Sequence, residues 1–278
     1  MVINSYSKIN LSLNINSKLK NGLHEIQSYF CLINLKDKIN IRKIKKQKDT
    51  IFFKGPFAKS VKHSDNSISN ILNLLRKLKL ISNYYHVTVS KNIPVFGGLG
   101  GGTSNAVFLL RFLLKNKINK IIINKMEKLI GSDFRIFFYK QGFIKKLKTI
   151  INIRRKYKLY FLLVRPNIKC STKEIYSKVR KYSQKIQINP YKINRKSNFI
   201  KYLLNSKNEL QPIVEKKYPR IKKLLQDIGS ESGCYFSRMS GSGSVCYGLF
   251  NNERTAKKAL IKIKTKYPKF WFSIAKTI

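Results

Sequence analysis

The residues best suited to chemistry lie in one glycine-rich segment near the middle of the chain. Glycine is scarce, with 14 in the whole sequence. Five of them occupy six consecutive positions, interrupted only by Leu99: Gly97, Gly98, Gly100, Gly101 and Gly102. Such a backbone can turn inward and present its N–H groups to an anion. An apolar helix then begins with Thr103, Ser104 and Asn105, which add hydroxyl groups and a positive helix end. The pattern predicts a phosphate-binding loop.

A flexible linker is the alternative interpretation of this segment. Linkers rarely run directly from a strand and a proline into an amphipathic helix, as residues 85–114 do here, so phosphate binding is favoured. Neither common nucleotide-binding fold is indicated. The loop lacks the lysine that follows the last glycine of a P-loop, and a dinucleotide fingerprint would require an acid about 20 residues further on.

One carboxylate draws attention because the chain has only 12 acidic residues. Asp133 follows Gly131 and Ser132 at the end of a predicted helix and precedes a strongly apolar run. Burying an unpaired charge is costly, so a carboxylate in such a place is paired or functional. Phosphoryl transfer to a hydroxyl uses a carboxylate as its usual base, which makes Asp133 the candidate. The alternative is a carboxylate that only caps a turn.

The charge balance suggests a different class of function. The chain has 58 Lys and Arg residues against 12 Asp and Glu, a formal net charge of +46. Such a charge is typical of nucleic-acid-binding proteins. The lysines are spread along the whole chain, however, without an arginine-rich arm or a recognisable recognition module. We therefore expect no specific nucleic-acid partner, only salt-sensitive RNA binding through phosphate neutralisation. A non-specific RNA-binding protein stays open as the alternative function.

Simple counts argue against several other classes. The four cysteines form no CxxC pair and no histidine lies at metal-ligand spacing, which disfavours a structural zinc site. No run of about 18 apolar residues predicts a membrane span. Residues 9–15 alternate as a strand does and do not form a signal peptide. We therefore expect free thiols, no membrane partner and a cytoplasmic location.

The elements that must position these residues follow from hydrophobic periodicity. Residues 2–15 open as strands, and 29–35 with 38–43 predict a hairpin or meander. Helices are predicted at 67–79, 107–114, 121–130, 171–182, 199–204, 218–228 and 253–264. Further strands are predicted at 85–89, 160–164, 244–250 and 270–275. The basic run 143–158 is expected to be the least structured part of the first half. The mixture is α+β.

Seven short motifs resemble those of one family, the GHMP kinases. Residues 94–106, PVFGGLGGGTSNA, resemble the family's phosphate loop. The other six motifs are SKINL at 7–11, NGLHEI at 21–26, GSDF at 131–134, STKEIY at 171–176, NELQ at 208–211 and MSGSGS at 239–244. They occur in the family's order and span nearly the whole chain. Each alone is weak, and together they are specific.

The resemblance implies a two-domain GHMP kinase fold of the α+β class. A ribosomal-protein-S5-domain-2-like, ATP-binding domain is expected over residues 1–150, and a ferredoxin-like domain over residues 151–278. The implied activity is ATP-dependent phosphorylation of the 2-hydroxyl of a cytidine diphosphate methylerythritol, in the non-mevalonate route to isoprenoid precursors. Another GHMP kinase of small molecules, acting for example on homoserine or mevalonate, is the alternative, and the motif around His24 argues against it.

Residue roles are implied by position in these motifs. Lys8 and Asp133 are the implied catalytic pair, with Lys8 keeping Asp133 ionised and meeting the developing negative charge. ATP is expected along the loop, with Mg²⁺ held by phosphates and a loop hydroxyl such as that of Ser104. The implied ATP-binding residues are Pro94, Val95, Phe96, Gly97, Gly98, Leu99, Gly100, Gly101, Gly102, Thr103, Ser104 and Asn105. The implied substrate-binding residues are Asn10, His24, Thr172 and Tyr176.

Two of the substrate-binding roles have a physical basis in the side chains themselves. The Tyr176 ring can stack on a pyrimidine, and a neutral His24 can donate and accept hydrogen bonds. A purely structural histidine is the alternative for His24. Three positions depart from the family pattern. Leu23 stands where the family has a tyrosine, which removes one aromatic wall of the base pocket. Phe96 and Arg135 replace small residues.

Overall fold

The computed structural model describes residues 1–62, 65–153, 155–187 and 195–278. The chain forms two units, each assembled from separate stretches of sequence. Unit 1 comprises Met1–Lys8, Leu35–Val95 and Gly100–Phe138. Unit 2 comprises Ile9–Asn34, Phe96–Leu99 and Tyr139–Ile278. The division into two continuous domains, residues 1–150 and 151–278, stays a prediction.

Strands and helices are mixed along the chain, as the periodicity predicts. The strands in the described residues are β1 (Val2–Asn10), β2 (Asn14–Lys18), β3 (His24–Ile44), β4 (Thr50–Lys54), β5 (Tyr84–Ser90), β6 (Gln141–Lys146), β7 (Thr149–Asn152), β8 (Tyr160–Arg165), β9 (Cys234–Met239), β10 (Cys246–Phe250) and β11 (Trp271–Lys276). The α-helices are α1 (Ser67–Lys77), α2 (Gly101–Leu114), α3 (Lys120–Ile130), α4 (Thr172–Ser177), α5 (Lys196–Leu204), α6 (Gln211–Lys217), α7 (Pro219–Gly229) and α8 (Glu253–Lys266). A 3₁₀ helix covers Ser132–Phe138.

Unit 1 builds a small sheet beside three helices. The second half of β3 pairs antiparallel with β5, and β5 pairs in parallel with β4, so that Val87 lies opposite both Ile41 and Ile51. Alternation of apolar residues buries one face of β5. Helix α1 buries Ile68, Ile71, Leu72 and Leu75, a spacing that places them on one face, and it packs against α2 and α3.

Among its described residues, unit 2 contains β2, the first half of β3, β6 to β11 and the helices α4 to α8. Most of β1 lies in unit 1. The first half of β3 pairs antiparallel with β2 and β6, and β6 pairs with β7. A second sheet has the antiparallel order β11-β8-β10-β9, which is the fourth-first-third-second order of a ferredoxin-like domain. Helices α7 and α8 pack on its strands. The α+β class and the ferredoxin-like expectation are confirmed.

Two predictions about strands are wrong. Residues 24–44 form one continuous strand and not a hairpin. Asp37 is a common turn residue, but here its carboxylate accepts the backbone N–H groups of Asn92 and Ile93 instead of closing a local turn. The basic run 143–158 is not the least ordered segment, since it contains most of the β6–β7 hairpin. Phe143 and Ile144 are buried there while the neighbouring lysines stay exposed, so the hairpin has a core-facing part.

The predicted helix 171–182 is also too long. Helix α4 ends at Ser177, and the chain continues in an extended path whose Ser183 N–H donates to Ile15 O at 2.8 Å. Pairing with β2 therefore outcompetes the helix. Strands β4 and β9 and helix α6 were not predicted, because each is short and lacks a clean apolar period. None of the helices in the described ranges has the length and apolar character needed to cross a membrane.

Candidate active site

The phosphate loop leads into helix α2 in unit 1. Gly100 caps the helix with a φ of 68° and offers no side-chain cap. The first intrahelical bond is donated by Ser104 N to Gly100 O at 2.8 Å, so the amides of residues 101–103 lack helical acceptors. A Cβ on Gly100 would lie 2.8 Å from Cζ of Phe137. Both the left-handed backbone and the close ring therefore require glycine, and the helix end can receive an anion.

The next two polar side chains attach this helix to β1. Ser104 is fully buried, and its hydroxyl lies 2.7 Å from Ser5 Oγ and donates to Tyr6 O at 2.5 Å. Asn105 Oδ1 accepts a hydrogen bond from Ser5 Oγ at 2.8 Å. These groups fix the position of the helix N-terminus. Ser104 as a magnesium ligand stays a prediction, since a hydroxyl that donates to Tyr6 O keeps lone pairs that can bind a cation.

Lys8 and Asp133 form an ion pair within unit 1. Lys8 Nζ lies 3.3 Å from Asp133 Oδ2, and the two side chains are 4% and 36% exposed. Asp133 is held at the start of the 3₁₀ helix, whose Phe134 and Phe137 are buried. Lys8 Cγ is also 3.4 Å from the position of a Cβ on Gly100, so the pair lies beside the loop. A buried cation thus faces a carboxylate that is open to solvent.

A second ion pair supports the same loop and was missed by the sequence analysis. Lys91 Nζ donates to Asp37 Oδ2, and both side chains are buried. Asp37 Oδ1 also accepts from Asn92 N at 2.7 Å and Ile93 N at 2.9 Å. Lys91 Nζ is 3.3 Å from the position of a Cβ on Gly101. The sequence signal that could have identified this pair is an acidic residue, Asp37, within a long apolar strand of a chain that has few acids.

The first half of the glycine loop belongs to unit 2. The backbone amides of Ser244 and Val245 donate to Phe96 O and Gly97 O at 3.2 and 3.3 Å. Gly98 has a φ of 72°, and a Cβ there would lie 2.1 Å from Ser240 O. The Ser240 hydroxyl donates to Gly98 O at 3.1 Å. The expectation that the 239–244 motif packs against this loop is confirmed for residues 96–98.

The 239–244 turn is itself held by Asn208. The Asn208 amide donates to Met239 O and to Gly241 O, both at 2.8 Å, and Asn208 is 3% exposed. The amide oxygen accepts from Leu210 N at 3.0 Å. The sequence analysis matched residues 208–211 to a family motif without giving them a role. Their role in the structure is to fix this turn.

The expected substrate-binding residues all lie in unit 2, and the structure brings His24 and Tyr176 into contact. The rings of His24 and Tyr176 have centroids 5.1 Å apart, and Thr172 Oγ1 lies 2.9 Å from Ser242 Oγ. The Asn10 amide donates to Ser28 Oγ at 2.9 Å, and Asn10 N donates to Ser240 Oγ at 3.3 Å. Burial and the nearby charge of Lys18 lower the pKa of His24 below its ordinary 6.5. His24 is therefore neutral at pH 7 and can both donate and accept.

Each expected site residue has a place in one of the two units. Unit 1 holds Lys8 and Asp133 together with Pro94, Val95, Gly100, Gly101, Gly102, Thr103, Ser104 and Asn105. Unit 2 holds Asn10, His24, Thr172 and Tyr176 together with Phe96, Gly97, Gly98 and Leu99. The side chains of Leu99 and Asn105 are buried, and the ATP-binding role of the loop residues stays a prediction. Within the described ranges, no three His, Cys, Asp or Glu side chains are grouped as metal ligands would be.

A glycine loop that ends at a helix N-terminus beside a lysine–carboxylate pair defines a phosphotransferase of the GHMP kinase class. Family models agree with this class. Residues 66–134 match the GHMP kinases N terminal domain, and residues 192–269 match the GHMP kinases C terminal domain.

Curated relatives narrow the class. The chain is 38% identical to the 4-diphosphocytidyl-2-C-methyl-D-erythritol kinase of Pelagibacter ubique, over 99% of this chain and 98% of the relative. It is 31% identical to the enzyme of the same name from Wolbachia pipientis wMel, over 95% and 94%. The chain therefore belongs to the 4-diphosphocytidyl-2-C-methyl-D-erythritol kinase family of GHMP kinases.

Solved structures agree on the fold. A 4-(cytidine 5'-diphospho)-2C-methyl-D-erythritol kinase superposes with a TM-score of 0.77 at 19% identity, covering 99% of both chains. The homoserine kinase of Cytophaga hutchinsonii superposes with a TM-score of 0.69 at 15% identity, covering 100% of this chain and 94% of the other. At these identities the likeness shows the shared GHMP kinase fold.

Proposed function

We propose that this chain transfers the γ-phosphoryl group of ATP to the 2-hydroxyl of 4-diphosphocytidyl-2-C-methyl-D-erythritol. The observation that carries the proposal is the Lys8–Asp133 pair beside Gly100, in a chain whose relatives bear that enzyme's name. The product serves the non-mevalonate synthesis of isoprenoid precursors. Because the four cysteines are free thiols, the proposed location is the cytoplasm.

ATP phosphates are proposed to bind along residues 94–105. The amides of Gly101, Gly102 and Thr103 have no acceptor within the helix, and Gly102 is exposed. These N–H groups, together with the positive N-terminal end of α2, can bind an anion without help from a side chain of the loop. Glycine at these positions also keeps Cβ atoms out of the space that a phosphate would need.

In the proposed reaction, Asp133 accepts the proton of the substrate hydroxyl as its oxygen attacks the γ-phosphorus. A new P–O bond forms while the bond to the β–γ bridging oxygen breaks, and ADP leaves. The Lys8 ammonium, held beside the loop, stabilises negative charge on the transferring group. Mg²⁺, when bound, would neutralise phosphate charge. Since the described residues provide no carboxylate cluster, we propose that the phosphates supply most of its ligands.

The cytidine end of the substrate is proposed to bind at Asn10, His24, Thr172 and Tyr176. A neutral His24 can pair with the polar edge of cytosine, and the Tyr176 ring offers a stacking face. No specific nucleic-acid partner is proposed.

An assay that couples ADP release to a visible reaction tests the proposal with ATP and the purified substrate. Wild-type protein should turn over this substrate, and Asp133→Asn should lose on the order of 10²–10⁴ in rate while ATP binding by calorimetry is retained. Asp65→Asn is the matched control, because Asp65 is an exposed acid of the same unit that bonds only to Asn70 among the described side chains.

Two outcomes would contradict the proposal. Turnover of homoserine or mevalonate without turnover of the cytidine substrate would reassign the chain within the GHMP kinases. An Asp133→Asn variant as active as Asp65→Asn would remove Asp133 from the reaction.

A further inference from the structure

A third aromatic ring lies beside the expected base-binding residues. The centroid of the Tyr182 ring is 6.2 Å from that of His24, with an interplanar angle of 31°. On the same histidine, the Tyr176 ring lies at 5.1 Å with an angle of 36°. His24 therefore contacts two tyrosine rings, and neither is inclined steeply to it. No sequence motif pointed to Tyr182.

The ring of Tyr182 is accessible to a ligand. It is 45% exposed, and Leu23, next to His24 in the chain, is 44% exposed. Leucine offers no flat π surface on which a base can stack, whereas tyrosine does. The aromatic surface beside His24 thus comes from Tyr176 and Tyr182, and residue 23 contributes none.

The segment that carries Tyr182 is held in place by hydrogen bonds to β2 and β3. We call residues 178–187 the strap. Gln27 bonds to it twice, with Ile186 N donating to Gln27 Oε1 at 2.7 Å and Gln27 Nε2 donating to Ile186 O at 3.2 Å. Ser183 N donates to Ile15 O at 2.8 Å, and Asn16 Nδ2 donates to Ser183 O at 3.1 Å.

Charges add to this attachment. Lys185 Nζ lies 2.8 Å from Glu25 Oε2, and the Ser183 hydroxyl donates to Glu209 Oε1. The residues that follow Tyr182 are thus anchored while its ring is left accessible. A ring that is fixed by its backbone loses little freedom when a ligand stacks on it, which favours binding.

We propose that Tyr182 is a specificity-determining residue that stacks on the pyrimidine of the substrate and supplies the aromatic surface that Leu23 lacks. The inference rests on the proposed function, because it assumes that His24 and Tyr176 bind the nucleobase. The proposed role requires only a planar aromatic ring, which takes no part in phosphoryl transfer. Tyr182 should therefore govern substrate affinity and leave turnover at saturation unchanged.

Steady-state kinetics of Tyr182→Ala and Tyr182→Phe test the proposal. Base–aromatic stacking corresponds to about a 5- to 150-fold change in affinity. We expect Tyr182→Ala to raise KM for the cytidine substrate within that range, with kcat and KM for ATP unchanged. Tyr182→Phe should keep the wild-type KM, because the ring and not the hydroxyl stacks. Tyr235→Ala is the matched control, since Tyr235 is a 40% exposed tyrosine on β9 of the same unit.

A rescue variant separates stacking from a structural role. Leu23→Tyr combined with Tyr182→Ala should recover much of the lost affinity, because it restores a ring beside His24. A Tyr182→Ala variant that matches Tyr235→Ala in KM would overturn the proposal. So would a Tyr182→Ala variant that also loses kcat and melts earlier than Tyr235→Ala, which would make the ring a structural support.

Binding of cytidine monophosphate keeps the inference distinguishable from the proposed function. In one outcome, wild-type protein binds this nucleotide and Tyr182→Ala binds it about 5- to 150-fold more weakly, but neither protein phosphorylates the cytidine substrate. That result would contradict the proposed activity and support the stacking role. If wild-type protein phosphorylates the substrate and Tyr182→Ala binds the nucleotide equally well, the stacking role is wrong and the activity stands.

Discussion

Replacing Asp37 by asparagine should destabilise unit 1 and weaken ATP binding together. Asp37 is fully buried and faces Lys91, which is 3% exposed, so the substitution leaves a buried ammonium group without its counter-ion. The same carboxylate accepts the backbone N–H groups of Asn92 and Ile93, immediately before the glycine loop. The damage should therefore reach the loop as well as the core.

The expected loss of stability follows from the contacts that each substitution leaves in place. Removing one partner of a buried ion pair costs about 3–5 kcal/mol, mostly because the other charge stays buried and unpaired. Asparagine keeps an oxygen for the two backbone N–H groups, so the lower end, about 3 kcal/mol, is expected for Asp37→Asn. For a chain of this size that corresponds to a loss of roughly 6–12 °C in melting temperature. Lys91→Met should cost a similar amount.

Urea denaturation followed by circular dichroism measures these losses. The double variant Asp37→Asn with Lys91→Met should be more stable than either single variant, because it leaves no buried charge uncompensated. Glu253→Gln is the control, since Glu253 pairs with Lys257 on the surface of α8 and its loss should leave the midpoint unchanged. Additive losses in the double variant, or a midpoint for Asp37→Asn equal to the control, would refute this account.

Three further outcomes are expected. Gly98→Ala should abolish ATP binding in calorimetry, because its Cβ would lie 2.1 Å from Ser240 O. If the variant binds ATP as tightly as the wild type, the loop can shift to accommodate the methyl group. Substrate affinity should be constant from pH 8 to 7 and should fall only below pH 6.5, because the neutral form of His24 binds; in titrations with His24→Asn this fall should be absent. Binding to a randomised RNA pool should fall steeply between low and physiological salt without enriching a motif, while substrate affinity changes much less. Enrichment of one RNA motif would favour a dedicated RNA-binding role.

The same pKa direction affects stability. The folded-state pKa of His24 is lowered below the unfolded value of 6.5, so the unfolded chain binds its proton more readily. The contribution of His24 to stability is therefore fully present above pH 6.5 and is lost as pH falls from 6.5 through the folded-state pKa. Thermal melts of wild-type protein and His24→Asn at pH 7.5 and pH 5.5 measure it.

Local patterns were sufficient for most long elements and for the phosphate loop. Helix α1 shows a clear 3.6-residue period, and the predicted range 67–79 overshoots the observed end at Lys77 by two residues. The phosphate loop could be anticipated because the run of glycines directly precedes the apolar residues of α2. In both cases the informative residues lie close together in the sequence.

The rest depends on contacts between distant residues. Helix α4 ends early because the strap bonds to Ile15 and Gln27, about 160 residues away, and no local pattern reports that pairing. The roles of Asn208 and Tyr182 follow from the same kind of contact. That Leu23 departs from the family pattern is visible in the sequence. That the Tyr182 ring lies beside His24 is visible only once the strap has folded against β2 and β3.

The two buried lysines face carboxylates that differ in exposure. This difference allows a test of which ion pair stabilises the fold and which takes part in the reaction. Lys91 faces a fully buried carboxylate, whereas Lys8 faces Asp133, whose side chain is 36% exposed. The Asp133 carboxylate is partly hydrated in the folded protein, so its attraction to Lys8 is screened more than that between Asp37 and Lys91. Losing the Asp133 carboxylate should therefore cost less stability than losing Asp37. Asp133→Asn should therefore abolish turnover with a small shift in urea midpoint, and Asp37→Asn should show a large shift. Equal shifts for the two variants would mean that Asp133 is held for stability, as Asp37 is, and that its accessible carboxylate is not the base.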